Sequence, residues 1–267
     1  MCRLLGIVSS EPTDFKIVLC EAPRSLAALS REHPDGWGIA VFEDDAEGWR
    51  VDKGIACASE DARFHQLAVC SRGELLVAHI RQKTVGEASI ANTHPFVRGR
   101  WLFAHNGTIQ DVAWLREQVS RERLREIVGE TDSELLFAWL LTRMDDAGVT
   151  DAPASQTTDR VLSTATRLAR EHAGFGAFNF LLADGTTTYA HRCGRTMHML
   201  ELGPADEVRT RRRSSDGTVL ETPWSSDRHA VFIASERMTD EAWQPIEEGT
   251  LLRVDRAPAP QWRQIAA

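Results

Sequence analysis

No stretch of this sequence approaches the roughly 18 to 20 uninterrupted apolar residues that a membrane-spanning helix requires. The N-terminus also lacks a basic region followed by an apolar run and a small-residue cleavage site. These absences point away from a membrane protein and make the cytoplasm the expected location. Cysteine is sparse: Cys2, Cys20, Cys57, Cys70 and Cys193 are five among 267 residues, and no two form a C-x-x-C pair. A zinc ribbon and a thioredoxin-like site are thereby excluded, and scattered cysteines of this kind are mostly small buried hydrophobes. A glycine-rich phosphate loop, internal repeats and low-complexity segments are all missing. Positive charge is short as well, 31 Lys plus Arg against 39 Asp plus Glu, a formal net charge of −8. That balance repels nucleic acid and anionic membranes, so neither is expected as a partner. The one basic cluster, Arg209 with Arg211, Arg212 and Arg213, reads as the solvated tip of a polar hairpin over 205–228.

What remains is ordinary globular material, 42% apolar and 26% charged, in a length that suits one large domain or two small ones. Strand-like runs fall at Leu4–Val8, Trp37–Phe42, Leu75–Ile80 and Trp101–Ala104. Val112–Val119 has apolar residues at helical spacing. Thr131 with Glu134 three residues later predicts a reciprocal capping box, followed by one apolar helical face of Leu135, Leu136, Trp139, Leu140 and Met144. A second helix is predicted over Asp159–His172. Further strands are predicted at Asn179–Ala183, Thr187–Ala190, Ala230–Ala234 and Leu251–Val254, and the Pro-rich stretch Ala257–Pro260 reads as an irregular tail. Strands, then helices, then strands again indicate an α+β layered domain without Rossmann-type alternation. The whole span 1–267 reads as a single domain.

Three groups of residues could carry chemistry. Cys2 directly follows Met1, and a side chain this small permits aminopeptidase removal of the methionine. The exposed residue would then hold a thiol and an α-amine of pKa near roughly 7.7 to 8, a nucleophile and its base together. Asn106 and Gly107 form an Asn-Gly pair, which is a turn signal and equally a source of two N–H donors for an oxyanion. Arg81, at the end of a predicted strand, offers a planar fork suited to a carboxylate. Asp132 reads by itself as a first-turn helix acid.

Taken in order, Met1-Cys2-Arg3-Leu4-Leu5-Gly6, Asp35-Gly36-Trp37-Gly38, Ala78-His79-Ile80-Arg81, Asn92-Thr93-His94-Pro95-Phe96, His105-Asn106-Gly107 and Gly129-Glu130-Thr131-Asp132-Ser133-Glu134 resemble the class II glutamine amidotransferases. Ala234, Met238-Thr239 and Glu241-Ala242-Trp243 add to the likeness, which is nearest to the small stand-alone bacterial members. The resemblance implies the N-terminal nucleophile fold, a four-layer αββα sandwich of two antiparallel sheets. It implies that Cys2 is the nucleophile, that Asn106 and Gly107 form the oxyanion hole, and that Arg81 and Asp132 hold the α-carboxylate and α-ammonium of glutamine. Thr84 matches a substrate-contacting position and His94 a residue backing the site. No metal or organic cofactor is implied. Gln82 and Val85 depart from the aromatic residue and histidine that larger relatives often carry there. The activity implied is release of glutamate and ammonia from glutamine. No synthase domain is expected in this length, so a separate synthetase would have to accept the ammonia. Two alternatives remain: a γ-glutamyl hydrolase acting on a glutathione- or ergothioneine-type compound, and a non-catalytic binding protein on the same scaffold.

Overall fold

The computed structural model describes residues 2–46, 48–83, 86–203, 211–213, 219–221 and 228–266, with 211–213 and 219–221 described in backbone only. Its strands are β1 (Arg3–Asp14), β2 (Trp37–Glu43), β3 (Gly48–Gly54), β4 (Arg72–Ile80), β5 (Phe96–Arg98), β6 (Trp101–Ile109), β7 (Gly176–Ala183) and β8 (Thr187–His191). They continue as β9 (His198–Leu202), β10 (Arg211–Arg213), β11 (Val219–Glu221), β12 (Ala230–Ala234), β13 (Gln244–Pro245), β14 (Leu251–Asp255) and β15 (Gln261–Ile265). The α-helices are α1 (Leu26–Ser30), α2 (Ala62–Cys70), α3 (Val112–Glu117), α4 (Arg121–Arg125), α5 (Asp132–Asp146) and α6 (Gln156–Glu171).

Two antiparallel sheets result, one ordered β13-β9-β12-β1-β4-β2-β3 and the other β15-β14-β8-β7-β6-β5. The two-residue period of a strand explains how they stack. Along β1, Leu5 and Ile7 pack outward with Phe64 and Leu67 of α2, whereas Leu4 and Val8 enter a core shared with Leu102, Ala104 and Leu181 of the second sheet. On the far side of that sheet, Phe103, Phe180 and Tyr189 pack with Leu135, Leu136, Trp139 and Leu140 of α5 and Leu162 of α6. The layers therefore run helix, sheet, sheet, helix, the α+β sandwich that the motifs implied. Gly6 permits the sheets to close, since a Cβ there would stand 2.8 Å from Leu181 Cδ1.

Several elements differ from the sequence expectation. β1 runs on to Asp14, because after an irregularity between Val8 and Thr13 it resumes pairing with β4 at Thr13 and Gly73. Residues 261–265, just beyond the Pro-rich stretch and assigned no element from the sequence, add strand β15 beside β14. The capping box at Thr131 is half formed. Thr131 accepts the Glu134 N–H at 3.2 Å, but the Glu134 carboxylate reaches past it to the N–H groups of Val128 (3.1 Å) and Gly129 (2.7 Å). The reciprocal box lies instead at Ser155 and Thr158, opening α6 three residues before the predicted start. Of the 205–228 hairpin, Arg211–Arg213 pairs with Val219–Glu221. Arg209 and the remaining tip lie outside the described residues.

Candidate active site

Cys2 stands just ahead of β1, at the end where β4 stops. The register pairs Arg3 with Ile80 and Leu4 with His79, which brings Arg81 and Gln82 alongside the nucleophile position. The Gln82 N–H donates to Cys2 Sγ at 3.3 Å, and Sγ lies 3.5 Å from the Gln82 carbonyl oxygen. Burial pushes the thiol pKa up, and the Gln82 N–H and the Arg81 charge oppose that shift by favouring the thiolate. Arg3 donates to the Cys2 carbonyl at 3.4 Å and is itself paired with Glu236 at 2.6 Å, so a residue from the far end of the chain braces the first turn of the N-terminus.

Arg81 is 3% exposed. Its backbone is held by the Asp35-Gly36 corner: the Arg81 N–H donates to the Gly36 carbonyl at 2.8 Å, and the Asp35 N–H to the Arg81 carbonyl at 3.2 Å. Gly36 has φ of 130°, open to glycine and strained for other residues. The guanidinium donates to the carbonyls of Glu87 (3.2 Å) and Gly86 (3.3 Å). Gly38, in the same motif, makes room for the next one: a Cβ there would lie 1.9 Å from the His94 carbonyl oxygen.

The second sheet supplies the facing half. Leu102 and Ala104 of β6 point between the sheets, so Asn106, two residues on, points the same way and toward the end that holds Cys2. Asn106 is 5% exposed, and its carboxamide makes no hydrogen bond among the described residues. Gly107 is packed against the next strand, where a Cβ would meet the Ala177 carbonyl oxygen at 1.9 Å. Asp132, first residue of α5, turns back to β6 and accepts the Ile109 N–H through Oδ2 at 2.6 Å. Its Oδ1 has no hydrogen-bond partner among the described residues. The helix acid is thus attached to the strand that carries Asn106 and Gly107.

Three buried imidazoles join the halves. His79 Nε2 donates to the His105 carbonyl at 3.1 Å, linking the Arg81 strand to the Asn106 strand. His105 Nε2 faces the Ala177 carbonyl at 3.3 Å, which only accepts, so Nδ1 accepts the Ser133 hydroxyl at 2.8 Å. His94 packs with ring centroids 4.3 Å from His79 and 4.6 Å from Phe96, and neither of its nitrogens has a partner among the described residues. Burial holds all three neutral: it draws His79 down to about 3 and His94 well below its ordinary value, and lowers His105 against the opposing charge of Asp132.

The sequence-derived candidates Cys2 and Arg81 therefore meet at one end of the first sheet, with Asn106, Gly107 and Asp132 gathered on the second. His94 packs against His79, two residues before Arg81, and against Phe96. Thr84 and Val85 lie outside the described residues. Unnoticed in the sequence were the backing role of His79, the Ser133 hydroxyl and the contacts of Asn92. Each lies inside a motif already quoted, yet its partner is distant in the chain. Among the described residues, no group of three or more His, Cys, Asp or Glu could hold a metal. No helix there is long and apolar enough to cross a membrane.

Comparison with known proteins follows the same lines. Residues 1–263 match the family model of class II glutamine amidotransferases. The Escherichia coli protein YafJ, assigned to the glutamine amidotransferases, is 32% identical over 260 residues, covering 93% of this chain and 95% of its own. The γ-glutamyl-hercynylcysteine sulfoxide hydrolase of Mycobacterium tuberculosis is 28% identical over 281 residues, covering 98% of this chain and all of its own. A 2.0 Å crystal structure from Pseudomonas aeruginosa, of a chain assigned as a glutamine amidotransferase, superposes with a TM-score of 0.67 at 27% identity, covering 99% of this chain and 100% of that one. With the αββα sandwich of the N-terminal nucleophile fold beneath it, the chain belongs to the class II glutamine amidotransferases.

Proposed function

We propose that this protein is an amidohydrolase that uses an N-terminal cysteine to cleave the γ-amide of glutamine, giving glutamate and ammonia. The observation that carries the reading is the convergence at one end of the sandwich. The Cys2 thiol lies beside buried Arg81, and the second sheet offers the unspent Asn106 carboxamide and the open Oδ1 of Asp132.

In this reading, removal of Met1 exposes the Cys2 α-amine, part of which is neutral at pH 7 with a pKa near roughly 7.7 to 8. Glutamine is held by its α-carboxylate on Arg81 and its α-ammonium on Asp132. The amine takes the thiol proton and Sγ attacks the amide carbon, forming a C–S bond. The oxyanion is met by the Asn106 Nδ2–H and the Gly107 N–H, the former worth on the order of 2.7 to 4 kcal/mol of transition-state stabilisation. Collapse breaks the C–N bond, and the proton held by the amine leaves with ammonia. Water, deprotonated by the same amine, then attacks the γ-glutamyl thioester, releasing glutamate and returning the thiol. Thr84 belongs to the glutamine contacts in this scheme and His94 to the residues that back them. Residues 1–267 act as one catalytic domain in the cytoplasm, and the ammonia passes to a separate acceptor enzyme.

A second reading keeps the machinery and replaces ammonia with a larger amine. The mycobacterial relative, named for hydrolysis of a γ-glutamyl compound and matched along its full length, favours it. Glutamate release by purified protein from glutamine and from a panel of γ-glutamyl peptides separates the two. Turnover of peptides alone replaces the first reading by the second, and release from no donor leaves the scaffold without catalysis.

A further inference from the structure

Arg81 and Asp132, the two groups proposed to hold the substrate's ends, lie just after β4 and at the start of α5, and one side chain links them. Asn92 is 2% exposed. Its Nδ2 donates to the Glu87 carbonyl at 3.0 Å, the same oxygen that accepts Arg81 Nη1 at 3.2 Å. Its Oδ1 accepts the Glu130 N–H at 2.7 Å, two residues before Asp132. Thr131, between them, is the N-cap of α5. The path from the Arg81 guanidinium to the Asp132 helix is therefore one carbonyl, one carboxamide and one backbone N–H. Glycines keep it short on both sides, since a Cβ on Gly86 would stand 2.7 Å from Asn92 Nδ2 and one on Gly129 2.5 Å from Oδ1.

We infer that Asn92 is a positioning residue that sets the spacing between the carboxylate-binding and ammonium-binding groups, and so selects an α-amino acid end on the γ-glutamyl donor. The inference rests on the proposed roles of Arg81 and Asp132. A carboxamide suits the place, because one partner is an acceptor and the other a donor. Aspartate would keep the bond to the Glu130 N–H while setting a carboxylate against the Glu87 carbonyl. Alanine would remove both bonds.

The test uses Asn92→Asp and Asn92→Ala with glutamine as substrate and two one-ended probes as competitive ligands. The probes are 4-carbamoylbutanoate, which lacks the ammonium, and 4-aminobutanamide, which lacks the carboxylate. Asn92→Asp is expected to raise KM for glutamine about tenfold, the scale of one lost hydrogen bond, with kcat within about threefold. It should weaken 4-carbamoylbutanoate and leave 4-aminobutanamide unchanged, whereas Asn92→Ala should weaken both. An unchanged KM, or equal weakening of both probes in Asn92→Asp, overturns the inference, since a merely structural role would not tell the ends apart. Amide hydrogen exchange at Glu130, which involves no substrate, is expected to be slow in the wild type and faster in Asn92→Ala. Fast exchange in the wild type removes the bridge itself. A wild type with slow Glu130 exchange that binds neither probe and hydrolyses no γ-glutamyl donor overturns the reading of the site, and the inference with it.

Discussion

Lowering the pH from 7 to 5.5 should remove roughly 2 to 3 kcal/mol of stability or more, and buried histidine is the reason. His79 and His191 are 0% exposed and held down to about 3 by burial; His94, 4% exposed, is held well below its ordinary value by the same cause. In the unfolded chain each titrates near roughly 6.5. The unfolded state therefore takes up protons that the native state refuses, and stability is complete above that pH and lost as pH falls toward the folded values. With the folded values of His79 and His191 at about 3, linkage gives about 1 kcal/mol or a little more per imidazole between pH 7 and 5.5, hence roughly 2 to 3 kcal/mol for the two, and His94 adds to it in the same direction. His105 acts in the same direction. In the unfolded chain aspartate and glutamate, with reference values near roughly 4, take up few protons in this window. Against a typical total of about 5 to 15 kcal/mol the loss is large. Urea titrations at pH 7.0 and 5.5, followed by the fluorescence of the eight tryptophans, measure it directly. His79→Gln, which can still donate to the His105 carbonyl but cannot be protonated, should shrink the difference by about 1 kcal/mol. Equal unfolding free energies at the two pH values would refute the reasoning, as would a His79→Gln variant with the wild-type difference.

Three substitutions check other parts of the site. Asn106→Ala should lower kcat by about 10²- to 10³-fold with KM little changed, because the lost donor serves the transition state more than bound glutamine; steady-state kinetics decide it. Asp132→Asn keeps an acceptor for the Ile109 N–H but loses the charge, so KM for glutamine should rise at least about tenfold while thermal unfolding shifts little. Gly38→Ala drives a methyl to within 1.9 Å of the His94 carbonyl, and overpacking on the order of 1 to 3 kcal/mol should lower Tm by several degrees in a thermal scan.

Local chemistry was legible in the sequence wherever its partner lay close in the chain. The α5 face, the Thr131 cap and the strand cores of β1, β4 and β6 all follow from spacing within a few residues. Long-range pairing was not. The strand-like run ends at Val8, yet β1 continues because Thr13 finds Gly73 on β4. Trp262 and its neighbours follow two prolines and still form β15, because β14 offers an edge. Glu134 was read as the return partner of Thr131, but Arg98, 36 residues away, and two loop N–H groups compete for its carboxylate. The site shows the same division. Each candidate residue stood in a recognisable motif, whereas Asn92 could be assigned only once Glu87 and Glu130 were seen on either side of it. The second capping box, at Ser155, uses Thr158 as its return partner and so lacks the Glu or Gln that signals one.

Everything proposed for catalysis turns on Cys2, freed of Met1, acting as the nucleophile. The most direct measurement is to inactivate the purified protein with a diazoketone analogue of glutamine and map the adduct by mass spectrometry. One equivalent of label on an N-terminal peptide that begins at Cys2, blocked by excess glutamine and absent from Cys2→Ala, is the expected result. Label on Cys20, Cys57, Cys70 or Cys193 that tracks the loss of activity, or full activity in chains that retain Met1, would contradict it.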